Sequence, residues 1–587
     1  MSSRRKSVRP SRDPQIHLVA QGAGQKLTSY TIGALPILNV VLERLRLEEF
    51  LRQSLPADDP RVRIPTCTGI LVLLRNLLAS RAPIYGVGEW ATRYAPDLLG
   101  MTPKQVSELN DDRVGRCLDR LFDAPGATLA LTVAGQAVRE FGVSLDELHN
   151  DSTTITFQGA YSDAEQAATR RGQGTPAITW GHNKDHRPDL KQLLYILTVT
   201  EDGGVPLQFR VESGNTVDDQ THQTTWDLLC QLSGRRDFLY VADSKLATRE
   251  NMAYVHQRGG RFLSVLPRTR SEDDAFRELL LRQEVSWRHL WDKKDEQEEI
   301  VDRFSVCVPP AQSVEGYRLL WYHSTRKAEL DALARSQRIE RALRALGELR
   351  EKLCSPRTRY RQAAKVSEAV EKLLTEQDVS QWITVQVKPQ EVETYRQERR
   401  GRPNQETRYV KQVATRFDLT STVDQSRVEQ DRRCDGVFPL ITNVLDRSEL
   451  ELLCCYKRQP TIEKRFSQLK TDFAVAPVYL KEVSRIQALL CVYFFVLLVE
   501  SLLERELRRA MQGAELEALP LYPEGRACRH PTTRRLIDLF DNVQRHELQS
   551  SDQTRSVLVT ELSRVQRRIL RLLGIPRDQY GHPTTAE

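Results

Sequence analysis

The chain has 587 residues, of which 40% are hydrophobic and 28% charged, and its formal net charge is +7. This composition argues against a disordered chain and against a membrane-embedded one, and the length suits roughly three or four domains. Ten cysteines without a Cys-x-x-Cys pair argue against a zinc ribbon or a secreted disulfide framework. Because no apolar stretch follows the basic N-terminus, we expect a cytosolic protein without a signal peptide.

Two regions precede residue 143. Residues 1–25 are polar and basic, which indicates a flexible arm. Residues 26–142 carry apolar side chains at helical spacing, as in the stripe from Ile37 to Leu47, and an acidic first turn at Asp111 starts another amphipathic helix. We interpret this region as a helical DNA-binding domain, although helical spacing alone is not specific to that function.

From residue 143 the spacing becomes that of strands. A β-rich run contains Asp151, two apolar strands within 191–211 flank a Gly-rich turn, and the strand Phe238–Ala242 ends at Asp243. These elements predict a mixed α/β sheet in residues 143–269. Residues 270–434, which mix short strands with a long charged helix, form a predicted insertion domain.

The sheet is expected to resume in residues 435–512. Pro460 suits the first turn of a helix on which Glu463 and Lys470 share a face. The apolar run from Ala488 to Val499 is too short to span a bilayer and predicts a buried helix. Residues 513–587 are predicted to form a helical C-terminal region, and the arginine clusters there and at 395–412 suit phosphate contacts.

Three acids far apart in the chain are the candidate catalytic and metal-binding residues: Asp151, Asp243 and Glu463. Converging carboxylates suit Mg²⁺, and two such ions about 4 Å apart can activate a nucleophile and stabilise the leaving oxygen of a phosphodiester. Each acid also has a structural interpretation. Asp151 suits a solvated strand edge, Asp243 a helix N-cap, and Glu463 the first turn of a helix, where an acid complements the dipole.

Two other polar groups have structural interpretations. His182 and His186 lack a nearby third ligand, which argues against zinc. The Asp218-Asp219 pair is interpreted as a turn and helix-cap cluster.

In combination, four segments resemble the DDE transposases of bacterial insertion sequences, in the branch whose RNase H-like core is interrupted before its last acid. The segments are the first-acid strand, an Asn-Lys-Asp-x-Arg-Pro-Asp-Leu signature, the second-acid strand and a Tyr-Arg-Glu-Lys motif, at Asn150–Thr153, Asn183–Leu190, Val241–Ser244 and Tyr456–Lys470. The resemblance covers residues 110–505. The motif spacing departs at Gln459, where the branch has arginine, although Arg458 is adjacent.

The resemblance implies an α/β fold: an RNase H-like mixed sheet interrupted by an α+β insertion, with helical N-terminal and C-terminal regions. It implies two Mg²⁺ ions, replaceable by Mn²⁺, on Asp151, Asp243 and Glu463. The DNA contacts that it implies are Tyr456, Arg458, Lys470, Lys184 and Arg187.

The implied reaction is cleavage at transposon ends and strand transfer into target DNA by a cut-and-paste route, with a hairpin intermediate as a hypothesis. The implied partners are double-stranded DNA (terminal inverted repeats and target) and a second copy of the chain in a synaptic homodimer, without a membrane. The implied location is the bacterial cytoplasm, at the nucleoid when DNA is bound. Two alternatives stay open: a metal-dependent nuclease without strand transfer, and a domesticated DNA-binding protein without chemistry.

Overall fold

The computed structural model describes residues 26–295, 297–307, 312–355, 358–472, 480–522, 524–549 and 555–581. The arm expected at residues 1–25 lies outside the described residues. The chain divides into two compact units. Unit 1 comprises Met1–Leu246, Glu250–Arg261 and Cys455–Glu587, and unit 2 comprises Ala247–Arg249 and Phe262–Cys454.

The first part of unit 1 is helical, as the apolar spacing predicts, but it begins with a strand. The elements are β1 (Lys26–Thr31), α1 (Leu35–Arg44), α2 (Leu47–Ser54), α3 (Thr66–Ala79), α4 (Val87–Thr92), α5 (Pro103–Glu108), α6 (Asp111–Asp123) and α7 (Gly126–Phe141). Helix α6 begins as expected, because the side chain of Asn110 accepts a hydrogen bond from the backbone N–H of Arg113 ahead of two first-turn acids. Helix α3 is buried along its whole length.

A sheet follows, in which four strands of unit 1 have the order β6-β5-β2-β7. The elements are β2 (Glu147–Phe157), β3 (Ala168–Arg170), β4 (Gln173–Thr175), β5 (Lys191–Thr200), β6 (Pro206–Ser213), α8 (His222–Ser233), β7 (Leu239–Ala242) and α9 (Arg249–Gln257). Strand β5 is antiparallel to both β2 and β6, whereas β7 is parallel to β2. The predicted hairpin is confirmed, with Gly203 and Gly204 at positive φ in its turn. The predicted mixed α/β character is also confirmed.

Unit 2 contains an antiparallel sheet with the order β8-β14-β11-β10-β9. The elements of this stretch are β8 (Arg261–Val265), α10 (Ser271–Arg282), β9 (Arg288–Lys294), β10 (Ile300–Cys307), β11 (Arg318–Ser324), α11 (Thr325–Cys354), α12 (Ala363–Glu376), β12 (Ile383–Gln397), β13 (Tyr409–Val423), α13 (Gln425–Arg432), β14 (Val437–Thr442) and α14 (Glu449–Lys457). A second core joins α11 and α12 to the base of β12 and β13. Leu346 and Leu349 of α11 lie in that core, whereas Leu330 and Leu333 at the start of the helix are exposed.

The rest of unit 1 surrounds one long buried helix. The elements are α15 (Pro460–Ser467), a π-helical turn (Gln468–Asp472), α16 (Val483–Gly513), β15 (Leu519–Pro520), β16 (Ala527–Cys528), α17 (Thr533–Phe540), β17 (Gln544–Gln549), β18 (Arg555–Val559) and α18 (Arg564–Leu572). The apolar run from Ala488 to Val499 lies within α16, which has 31 residues and, contrary to the expectation from that run, is long and apolar enough to cross a membrane. The prediction of a buried helix is confirmed, because 94% of the most apolar stretch of α16 is buried inside the protein.

The C-terminal region differs from the helical expectation at residues 544–549 and 555–559. Strands β17 and β18 form a three-stranded sheet with β1, in the order β1-β17-β18. The register pairs Thr31 with Gln544, residues at opposite ends of the chain. The pairing of β17 with β1 is therefore remote in sequence, and the local spacing of apolar residues does not reveal it.

Candidate active site

Asp151 lies on β2, and Asp243 follows directly after the adjacent parallel strand β7 at the equivalent position. The register of β2 and β7 pairs His149 with Val241 and Asn150 with Ala242, so each acid is the residue after the last pair. Neighbouring strands lie about 4.8 Å apart, and side chains at equivalent positions project to the same face of a sheet. The fold therefore brings these two acids side by side.

The surroundings of Asp151 and Asp243 disfavour the ionised form of both carboxyl groups, because both are largely buried. The pKa of Asp151 is raised to about 6, because burial and the charge of Asp243 raise it more than the charge of Lys184 lowers it. Burial also raises the pKa of Asp243. Two desolvated carboxylates near each other are stabilised by a cation, so this pair favours the binding of positive charge.

Glu463 joins the pair through helix α15. That helix packs against β2, the strand of Asp151. Tyr456 of α14 senses all three acids, because burial, together with the charges of Asp243, Glu463 and Asp151, raises its pKa to about 12. One phenol hydroxyl therefore lies within electrostatic range of the three predicted catalytic residues.

Asp151, Asp243 and Glu463 lie near one another, but their carboxylates do not form a complete set of metal ligands. Across the described part of the chain, no group of three or more His, Cys, Asp or Glu side chains has the geometry of a metal site. His182 and His186 are both exposed.

Lys184 supplies the positive charge in this arrangement. Its Nζ lies 3.4 Å from Asp151 Oδ1 and 3.0 Å from Asp218 Oδ2, and it donates hydrogen bonds to the carbonyl oxygen (2.8 Å) and Oγ (2.6 Å) of Ser152. Burial would lower the pKa of Lys184, but the charges of Asp151 and Asp218 outweigh it and the pKa is raised. The lysine of the Asn-Lys-Asp signature is thus an ammonium ion among the acids.

Asp218 is a fourth carboxylate that sequence reasoning assigned only to a turn. It begins the 3₁₀ helix Asp218–Thr221. Its Oδ2 accepts a hydrogen bond of 2.9 Å from Ser152 Oγ, and its charge contributes to the raised pKa of Asp243. The acidic pair at 218–219 was visible in the sequence, but no spacing rule places a short 3₁₀ turn beside β2.

The other residues of the Tyr-Arg-Glu-Lys motif pair with acids. Arg458 Nη1 lies 2.8 Å from Glu147 Oε2 and 3.0 Å from Glu201 Oε2. Lys470 Nζ lies 2.6 Å from Asp185 Oδ1, which connects the π-helical turn after α15 to the loop of Lys184. These contacts fix the helix of Glu463 to β2 and to the signature loop.

Arg187, the remaining predicted DNA contact, is exposed. Its guanidinium makes two hydrogen bonds, of 2.8 and 2.7 Å, with the carboxylate of Asp189 in the same loop. The geometry leaves this pair accessible to a partner.

Arg465 is a buried positioning residue that sequence reasoning missed. It donates to the carbonyl oxygens of Gly203 and Gly204, each at 2.9 Å, and it lies 3.3 Å from Glu504 Oε2 of α16. It therefore ties α15 to the β5–β6 turn and to the central helix. Its only sequence signal is its place two residues after Glu463.

Comparisons with known proteins add little to this geometry. The family model described as "Domain of unknown function (DUF4277)" matches residues 27–134. No curated protein matches the chain. One similar solved structure is the cryo-EM structure of a piggyBac transposase synaptic complex with hairpin DNA, with 10% sequence identity and a TM-score of 0.27. The match covers 46% of this chain and 59% of that one, so the chain spans less than two thirds of that protein's length.

Proposed function

We propose that this chain is a DNA transposase whose Asp151, Asp243 and Glu463 hold two Mg²⁺ ions. The observation that carries the proposal is the β2–β7 register, which sets Asp151 beside Asp243. The packing of α15 against β2 adds Glu463 to them.

The topology supports an RNase H-like core. Three antiparallel strands in the order β6-β5-β2, with β7 parallel to β2, make the arrangement that such a core would have. Unit 2 lies in the chain between the second acid and the third, where the resemblance places an insertion. We propose that the chain is organised in six segments, with the bounds 1–25, 26–142, 143–269, 270–434, 435–512 and 513–587.

The residues present fit magnesium. The three acids offer only carboxylate oxygens, the ligand type that Mg²⁺ prefers, and the ion pair of Asp151 with the Lys184 ammonium supports a site that attracts positive charge. When bound, the ions would activate the attacking oxygen and stabilise the leaving oxygen of a phosphodiester.

The chain's own residues would position the DNA. In the first step a water oxygen bonds to phosphorus, the P–O3′ bond breaks, and the released 3′ oxygen ends as a hydroxyl. In the second step that hydroxyl bonds to a target phosphorus, gives up its proton, and the target's own 3′ oxygen leaves and takes one up. Tyr456, Arg458, Lys470, Lys184 and Arg187 are proposed to hold phosphates for both steps, which is a positioning role.

A DNA assay with Mg²⁺ tests the proposal and separates the alternatives. The purified chain is incubated with a duplex that carries the flanking inverted repeats and with a target plasmid. Joined products support a transposase acting through a synaptic homodimer. Cut ends alone indicate a nuclease, and a shifted but intact duplex indicates a DNA-binding protein; either result overturns the proposal.

A further inference from the structure

Strands β12 and β13 form a long antiparallel pair in unit 2. The two strands pair at every position from Ile383 with Val423 to Gln397 with Tyr409. They make a two-stranded sheet of their own. At about 3.4 Å per residue, strands of this length extend about 50 Å.

Only the base of this pair is packed. Val385, Val387, Phe417 and Leu419 contact the core formed with α11 and α12. From Lys388 outward on β12, and from Thr415 outward on β13, almost every side chain is exposed. An isolated two-stranded ribbon is marginally stable in water, so the outer part, which we call the ribbon (residues 388–416), suits a surface that acts with a partner.

The tip of the ribbon is strongly basic. Residues 395–411 contain two acids and six basic residues, a net charge of +4 in a chain whose total is +7: Arg396, Arg399, Arg400, Arg402, Arg408 and Lys411. Lys411 pairs with Glu393, whereas the structure gives the five arginines no ion pair with any described residue. Tyr395 and Tyr409, which flank the tip, are 65% and 53% exposed.

We infer that the ribbon is a DNA-binding arm that enters the major groove of a duplex and contacts the flanking phosphates with its tip arginines. The major groove, about 12 Å wide, admits a two-stranded β-ribbon, and unpaired arginines match the charge and the hydrogen-bond acceptors of phosphate. The inference rests on the proposed function only for the choice of DNA as the polyanion.

A second copy of the chain is the competing occupant. In the two-stranded sheet, β12 and β13 each have one edge whose backbone N–H and C=O groups could pair with another strand. Lys388, Pro389, Glu391 and Glu393 lie along β12. Charged residues and proline at a strand edge oppose such pairing. The net positive charge of the tip would also repel the tip of a second copy, whereas it attracts DNA.

The test measures the affinity of the full chain for a random-sequence duplex over a series of salt concentrations. The variant Arg399→Gln/Arg400→Gln/Arg402→Gln removes three positive charges from the tip. The matched control Arg344→Gln/Lys352→Gln/Lys365→Gln removes three exposed charges from α11 and α12 of the same unit. We expect the tip variant to bind about tenfold more weakly or worse and to lower the salt slope by about 2–3, with the control near wild type.

A second variant removes the outer part of the ribbon, so that the result does not depend on three substitutions alone. Replacing residues 391–415 by Asn-Gly joins the cross-strand partners Gln390 and Arg416 through a two-residue turn and keeps the packed base. It should lose at least as much affinity as the tip variant. Wild-type affinity and salt slope in both variants would overturn the inference. A change of sedimentation behaviour without a change of DNA affinity would also overturn it, in favour of self-association.

The same proteins separate this inference from the proposed function. If the wild type binds DNA through the ribbon but neither cuts nor joins it, the proposed function fails and the ribbon's role stands. If the wild type joins DNA while both ribbon variants bind as tightly as it does, the inference fails alone.

Discussion

The ammonium of Lys184 bridges Asp151 and Asp218, at 3.4 Å from Oδ1 of the first and 3.0 Å from Oδ2 of the second. The bridge joins a strand of the sheet to a 3₁₀ turn, and Ser152 completes it with a hydrogen bond to the same Asp218 oxygen. Asp218 thus acts on Asp151 through Lys184 and Ser152, which makes it a positioning residue for the candidate site.

The first prediction concerns Asp218. In Asp218→Asn, Lys184 loses one of its two ion pairs, so its ammonium is held less firmly beside Asp151. We expect Mg²⁺-dependent cleavage to fall about 10–100-fold, with a higher Mg²⁺ concentration needed for half-maximal rate. Rates over a Mg²⁺ series measure both effects.

The neighbouring acid provides the control for Asp218. Asp219→Asn removes the same charge one residue away, where the structure shows no contact with Lys184 among the described residues. It should retain a near wild-type Mg²⁺ dependence. Equal losses in the two variants would show that the turn matters only for folding.

The second prediction concerns Arg465, which lies 3.3 Å from Glu504 in a buried site. In Arg465→Gln the carboxylate of Glu504 loses a buried partner, and the carbonyl groups of the β5–β6 turn lose two donors. We expect the free energy of unfolding to fall by about 3–5 kcal/mol. Urea unfolding followed by circular dichroism measures it.

A surface arginine gives the comparison for Arg465. Arg93 pairs with Glu89 at 2.7 Å, but both side chains are largely exposed. Arg93→Gln should cost less than about 1 kcal/mol. A cost of this size for Arg465→Gln would contradict the structural role that we assign to the buried network.

The third prediction is a pH dependence at Glu147. Burial would raise the pKa of Glu147, but hydrogen bonds from His149 and Cys455 and the charges of His149 and Arg458 lower it to about 2. Because the folded pKa lies below the ordinary value of 4.5, the stabilisation is fully present above pH 4.5 and is lost as the pH falls from 4.5 toward 2.

The variant Glu147→Gln removes that stabilisation. At pH 7 it should lower the free energy of unfolding by at most about 3 kcal/mol, and the difference from wild type should shrink below pH 4.5. Glu201→Gln, which removes the other and more exposed partner of Arg458, should cost less than about 1 kcal/mol. A Glu147→Gln deficit that stays constant down to pH 3 would rule out this origin.

Much of the sheet around the candidate site is predictable from local sequence. Two apolar runs on either side of a Gly-Gly turn predict the β5–β6 hairpin, and the apolar run before Asp243 predicts β7. Pro460 marks the start of α15. These features depend on neighbours in sequence, and so the pattern of residues is sufficient to place them.

Other features depend on contacts that local patterns do not encode. Asp218 reaches Lys184 through a short 3₁₀ turn, and β17 pairs with a strand from the other end of the chain. The sequence predicts only short strands within residues 270–434, whereas β12 runs from Ile383 to Gln397. Because the outer ribbon buries neither face, its residues carry no apolar alternation that would reveal a strand.

The central claim is that Asp151, Asp243 and Glu463 share one cation-binding site. A Mn²⁺ titration, with free Mn²⁺ measured by electron paramagnetic resonance, tests it on wild type, Asp151→Asn, Asp243→Asn and Glu463→Gln, with the exposed Asp163→Asn as control. We predict that each of the three substitutions weakens Mn²⁺ binding at least about tenfold, while the control binds as the wild type does. Wild-type Mn²⁺ affinity in any one of the three, in a variant with native circular dichroism, would contradict a shared site.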